Sequence, residues 1–137
     1  NPLYRYPIPR PGSVQHMVEL IREIPGLGIC YDDGNFLSNN EDPLQCFDKV
    51  ISRVLHVHIK DYKYVDEKYE GAIQIGSKRV TYAPAGEGII DFRLILKKLK
   101  QASYRNYLSV EFIGGDQQMK EGTATGVRNL RKILEEI

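Results

Sequence analysis

The sequence predicts an α/β fold, a (β/α) barrel represented by three parallel strands with their helices. Three observations predict it. Short apolar runs alternate with amphipathic helical stretches along the 137 residues. Strands separated by helices cannot form hairpins with one another and pair in parallel through crossovers. Each strand also has one apolar face and one small or polar face, and the polar face ends in Asp, His or Glu.

The elements follow in the order αβαβαβα. Ser13 caps a helix through Val14, Met17, Val18, Leu20 and Ile21, and Pro25-Gly26 ends it. LGICYD (27–32) is the first strand. Asp42-Pro43 starts a helix with an N-cap and a Pro at its first position, and Leu44, Phe47, Val50 and Ile51 share one face. VLHVHIK (54–60) is the second strand. A long polar βα loop, 62–88, follows, with Gly76-Ser77 turning a small hairpin between AIQI and RVTY. Asp91 caps a helix with Phe92, Leu94, Ile95, Leu96 and Leu99 as its apolar set. YLSVEF (107–112) is the third strand, and a closing helix covers 124–136. No internal repeat or linker divides the chain, so residues 1–137 form a single domain.

Alternation assigns the faces, because residues i and i+2 of a strand share one. Leu27, Ile29 and Tyr31 face the helices, as do Leu55, Val57 and Ile59, and Leu108, Val110 and Phe112. The opposite faces carry Gly28, Cys30 and Asp32; His56, His58 and Lys60; and Tyr107, Ser109 and Glu111. An open sheet covered by helices on both sides would be apolar on both. A barrel lumen with a polar mouth accepts this pattern, which favours the barrel. Asp32, His58 and Glu111 fall on the same face and at the same end of three strands. Together they form a ligand set for one divalent ion: Mn²⁺, Mg²⁺, Co²⁺ or Zn²⁺. Taken singly, Asp32 reads as a loop cap, His58 as a hydrogen-bonded core histidine and Glu111 as a partner of Lys60; their coincidence makes the site.

Bulk properties narrow the function classes. The chain carries 19 Lys+Arg against 18 Asp+Glu, so no basic field supports nucleic-acid binding. No apolar run approaches the ~20 residues that span a bilayer, and NPLYRYPIPRPG has no apolar core of a signal peptide. Cys30 and Cys46 lack metal-type spacing, and a reducing cytoplasm fits this cysteine usage.

Four stretches resemble the xylose isomerase-like superfamily of sugar isomerases and epimerases. GICYDDGN is similar to its strand ending D-x-G-[HN], HVHIKD to its H-x-[HV]-x-K-D strand, PAGEGIIDF to its G-x-G-x-x-D-[FW] turn, and YLSVEF to its last strand. The order and spacing match across nearly the whole chain. The resemblance implies Asp32, His58 and Glu111 as metal ligands, with Glu111 also the acid/base. It implies Asn35, Lys60 and Asp61 as substrate-binding residues at the mouth. Asn35 stands where keto-sugar epimerases often carry His. Gly86 and Gly88 allow a tight turn, His56 packs in the core, and His16 lies on the surface. The implied activity is metal-dependent isomerisation or epimerisation of a small sugar or sugar phosphate through an enediolate.

The resemblance also implies that the chain is the C-terminal half of the barrel. A typical barrel has eight strands and ~250 residues, against three strands here. The family's first metal-binding Glu is commonly followed by Asn, and this chain begins with Asn1. That Glu, the fourth ligand and second acid/base, is expected just upstream. The expected consequences are an inactive isolated chain and pairing with a separate N-terminal half barrel or with itself. A metal-dependent dehydratase of the inosose-dehydratase kind is the alternative, since it shares the metal site. An endonuclease IV-type repair nuclease is disfavoured: it needs three zinc ions, an Asp-x-His before the glycine turn and a His where Asn35 stands. A barrel that has lost catalysis is disfavoured by the inward charges of Asp32, His58 and Glu111, which are costly to keep without a task.

Overall fold

The computed structural model describes residues 12–114 and 116–137. The expectations placed on the N-terminal stretch and on Asn1 lie outside the described residues. Helix α1 (Val14–Glu23) begins at Ser13, whose Oγ accepts the His16 N–H at 3.3 Å. Strand β1 (Ile29–Asp32) leads directly into a short helix, α2 (Asp33–Ser38), which periodicity had not revealed. Helix α3 (Pro43–Val50) starts as expected, with Asp42 Oδ1 accepting from Leu44 and Gln45. A 3₁₀ turn (Ile51–Arg53) then feeds strand β2 (Val54–Ile59).

Strands β3 (Asp61–Tyr64), β4 (Ile73–Ile75) and β5 (Lys78–Ala83) form an antiparallel sheet in the order β3-β5-β4. The expected hairpin is present as β4 and β5, paired from Ile73↔Val80 to Ile75↔Lys78. The long loop is more ordered than expected, because β3 adds to it. Helix α4 (Phe92–Gln101) is capped by Asp91, which accepts the Leu94 N–H at 3.0 Å. Strand β6 (Leu108–Val110) is shorter than expected, but the Glu111 N–H still donates to the Ile59 carbonyl and extends the ladder. Helix α5 runs from Asp116 to Glu136, eight residues longer at its start than the apolar spacing suggests.

The parallel strands form one sheet in the order β1-β2-β6. Its helix-facing side holds the main core: Ile29, Tyr31, Val57 and Ile59 pack with Phe36, Phe47, Val50, Ile95, Leu96 and Leu130. One face assignment needs correction. Leu55 was expected under the helices but is 60% exposed, and Val54 is buried in its place. Ile29 pairs with Val54 whereas Cys30 pairs with His56, so Leu55 is an unpaired extra residue at a bulge. A bulge breaks the two-residue alternation locally. Leu55 lies over Gly28 on the polar side of the sheet, where a Cβ on Gly28 would stand 2.1 Å from its Cδ1.

The polar side is layered. Leu55 and Tyr107 stand exposed at the strand starts. The middle holds Cys30 and a hydrogen bond of 2.8 Å between His56 Nε2 and Ser109 Oγ. The strand ends carry Asp32, His58, Lys60 and Glu111. The register sets Asp32 opposite His58, and His58 opposite Ser109.

Candidate metal centre

The three expected ligands converge. One ligand atom each from Asp32, His58 and Glu111 lies within 4.8 Å of the others. His58 Nδ1 is 3.8 Å from Asp32 Oδ2 and 3.6 Å from Glu111 Oε2. Asp32 divides its carboxylate between two tasks. Its Oδ1 accepts the Asn35 N–H at 2.9 Å and caps α2, which leaves Oδ2 for the cluster. A helix cap is therefore what fixes the orientation of this ligand.

Lys60 enters the same space. Its Nζ is 3.1 Å from Glu111 Oε2, 3.5 Å from Asp32 Oδ2 and 3.2 Å from Asn35 Oδ1. Burial disfavours its ammonium, but Asp32, Glu111 and the Tyr82 phenol outweigh that and hold the pKa above its ordinary value. Gly34 makes room for this side chain, since a Cβ there would stand 2.7 Å from the Lys60 Cβ. Lys60 and Asn35 thus sit beside the cluster.

Asp61 does not line the mouth, which corrects the expectation for it. It is 1% exposed, and its carboxylate accepts four backbone N–H groups, from Tyr62, Gly86, Gly88 and Ile90. It organises the glycine turn instead. Gly86 adopts φ +87°, and a Cβ on Gly88 would stand 2.2 Å from Asp61 Oδ1 and 2.3 Å from the Tyr62 carbonyl oxygen.

Asp33 was not foreseen. It is fully buried, its Oδ1 accepts the Lys60 N–H at 2.8 Å, and Oδ2 has no hydrogen-bond partner among the described residues. Burial drives its carboxyl well above the usual carboxylate range, although N–H donors from Lys60 and Gly34 pull the other way. It ties the end of β1 to the end of β2, and so aligns Asp32 with His58 and Lys60. The sequence signal was the doubled DD, of which only one member reads as a strand end. Tyr82 was also missed; it lies in β5, its ring stacked on Tyr62 at 5.1 Å between centroids.

The donors suit a divalent ion. Two carboxylates and an imidazole nitrogen present a hard, anionic set, and a cationic group, the Lys60 ammonium, already sits between the two carboxylates. No three-metal arrangement of the repair-nuclease type is assembled here: this is the one such group of His, Cys, Asp and Glu among the described residues. No described helix is long and apolar enough to cross a membrane.

Comparison with known proteins agrees with this geometry. A family profile described as xylose isomerase-like TIM barrel matches residues 2–133. The inosose dehydratase of Clostridium perfringens is 34% identical over 87 residues, which are 61% of this chain and 29% of that protein. The xylose isomerase domain protein of Planctomyces limnophilus superposes with a TM-score of 0.73 at 25% identity, covering 91% of this chain and 44% of that one. A xylose isomerase-like TIM barrel protein from Mycobacterium smegmatis, solved in complex with magnesium, has a TM-score of 0.65 at 20% identity, over 90% of this chain and 39% of that one. The chain thus spans under a third of the curated relative and under half of either solved structure. With the profile covering almost every residue and the parallel sheet ending in Asp32, His58 and Glu111, the chain belongs to the xylose isomerase-like TIM barrel family.

Proposed function

We propose that this chain supplies part of the active site of a metal-dependent dehydratase, a lyase that removes water from a polyhydroxylated ketone. The convergence of Asp32, His58 and Glu111 within 4.8 Å carries the reading. The likeness to an inosose dehydratase favours dehydration over the isomerisation that the sequence motifs suggested first. Asp32, His58 and Glu111 would hold the ion, which when bound polarises the substrate carbonyl.

The chain's own residues account for the proton. Dehydration breaks a C–H bond beside the ketone and a C–O bond one carbon further. The C–H electrons become the new C=C bond, and the hydroxyl leaves as water with the proton that Glu111 has taken from carbon. Glu111, half-exposed at the mouth, takes the carbon-bound proton. Lys60, kept charged beside it, donates a hydrogen bond to a substrate oxygen that gains negative charge. Asn35 orients Lys60 through its side-chain oxygen.

Isomerisation or epimerisation remains a second reading, favoured by the description of the Planctomyces structure. It begins with the same proton abstraction and ends with reprotonation instead of loss of hydroxide. One experiment separates the two. The protein is loaded with Mn²⁺ and incubated with an inosose in D₂O, alone and with a polypeptide supplying the remaining barrel strands. Mass spectrometry follows the products. Loss of one water, abolished by Glu111→Gln, supports the dehydratase. Deuterium uptake without water loss supports an isomerase or epimerase. Neither outcome in either mixture overturns both.

A further inference from the structure

The carboxylate oxygens of the candidate centre already have a cation on them. Lys60 Nζ stands 3.1 Å from Glu111 Oε2 and 3.5 Å from Asp32 Oδ2. These are the same two atoms that face His58 Nδ1, at 3.6 and 3.8 Å. Asp32 has no second oxygen to offer, because its Oδ1 caps α2 through the Asn35 N–H. The ammonium and a divalent ion would therefore call on the same ligand atoms.

The lysine has little room to withdraw. Its side chain is only 8% exposed. The stem runs over Gly34, where a Cβ would stand 2.7 to 2.9 Å from Cβ, Cγ and Cδ of Lys60. Its backbone N–H is held by the buried Asp33 Oδ1 at 2.8 Å. At the head, Asn35 Oδ1 accepts from Nζ at 3.2 Å. An ammonium has three donors, and three oxygens meet them here. An ion that took Asp32 Oδ2 and Glu111 Oε2 would remove two of those partners and leave a confined like charge beside it. Salt screens charges at this range and burial only weakly. Without metal, the same ammonium offsets the mutual repulsion of the two carboxylates.

We propose that Lys60 sets the affinity of the centre by competing with the metal. It is a resident cation that keeps Asp32 and Glu111 neutralised until a divalent ion displaces its ammonium from both carboxylates. A residue that only shaped the site would act in the opposite sense, since its removal would weaken metal binding. The proposal rests on reading Asp32, His58 and Glu111 as a metal centre.

The test is a calorimetric titration of the 137-residue chain and two variants with Mn²⁺. Lys60→Met keeps an unbranched apolar stem over Gly34 and removes the charge. Lys60→Arg keeps the charge. Lys60→Met is expected to bind Mn²⁺ at least about tenfold more tightly than the parent, and Lys60→Arg no more tightly than the parent. Thermal melts of the same samples give a second readout. Metal-free Lys60→Met should melt below the parent, and saturating Mn²⁺ should raise its melting temperature by more. A third measurement needs no variant: Mg²⁺ should move the ¹³Cε resonance of Lys60 in the parent as the ammonium leaves both carboxylates. Three results overturn the competition and leave the centre standing. They are a Lys60→Met chain that binds Mn²⁺ no more tightly than the parent, the same gain in Lys60→Arg, and a Lys60 ¹³Cε resonance that stays fixed while Mg²⁺ binds. No Mn²⁺ binding by the parent or by either variant sinks the centre and the competition with it.

Discussion

Asp32 caps a helix with one oxygen and faces the candidate metal centre with the other. Asp32→Asn keeps the capping oxygen and removes the anionic ligand. Loss of an outer-sphere partner alone costs about 10–100-fold in metal affinity. Loss of a direct ligand should cost at least about a hundredfold, with little change in melting temperature. Calorimetric titration with Mn²⁺ and a thermal melt of the same sample check both halves. Asp61 should behave in the opposite way. Asp61→Ala strands four backbone donors, two of them buried and two partly buried, and should destabilise the fold by roughly 2–4 kcal/mol in a urea titration. The Cys46 thiol is buried and lies near the Glu41 carboxylate, which together push its pKa up to about 12 from an ordinary 9.0. Above pH 9.0 the unfolded chain loses this proton while the folded chain keeps it. The thiol's contribution is therefore complete below pH 9.0 and declines between there and about 12. Urea midpoints on either side of pH 9.0 should fall more steeply for the parent than for Cys46→Ala.

At the scale of elements, the two sheets differ in how firmly they are held. Strand β2 pairs on both sides and buries Val57 and Ile59 completely. Strand β4 is a three-residue edge, and its sheet has a cluster of only three buried residues, Tyr62, Ile75 and Val80. Native-state hydrogen exchange should therefore release the β4 amides well before those of Val57 and Ile59. Equal protection would mean that the small sheet opens only with the whole domain. The same contrast explains what could be read from the sequence. The core strands and α1, α3 and α4 carry strong apolar periods and capping residues, and they appear where expected. Strand β3, read as DYKY, alternates only weakly and depends on pairing with β5 for its existence. The first turns of α5, DQQMKEGT, bury little more than Gly122 and have no apolar stripe to betray a helix. The convergence of Asp32, His58 and Glu111 was legible because alternation and strand ends decide which side chains meet. Asp33 and Asp61 were not separable from substrate residues, because their tasks are hydrogen bonds to distant backbone: Lys60 for one, Gly86 to Ile90 for the other. The bulge at Leu55 left no composition signal at all.

For the molecule as a whole, the described sheet stops at β1 on one side and β6 on the other, each with one strand partner. Its polar side carries Leu55, 60% exposed, and Tyr107, 82% exposed, at the end away from Asp32, His58 and Glu111. In a closed barrel such a side faces inward and is covered by the opposite strands. Among the described residues neither sheet edge has a further strand, and this apolar pair is exposed, which favours pairing with another chain. Covering a large apolar side chain contributes about 1.5–3 kcal/mol. Two such groups in each of two copies supply roughly 6–12 kcal/mol against an association cost of about 4–15 kcal/mol, so any dimer they form is weak. The 137-residue chain at tens of micromolar is thus expected to sediment as a concentration-dependent dimer. The double substitution Leu55→Lys and Tyr107→Lys should return it to a monomer, with the helix-facing core untouched because neither side chain packs there. A half barrel that supplies the remaining strands should compete with self-association and tighten Mn²⁺ binding, by closing the lumen around Asp32, His58 and Glu111. A parent chain that stays monomeric at every concentration, or a dimer indifferent to both lysines, would show that this side of the sheet is not the surface that pairs.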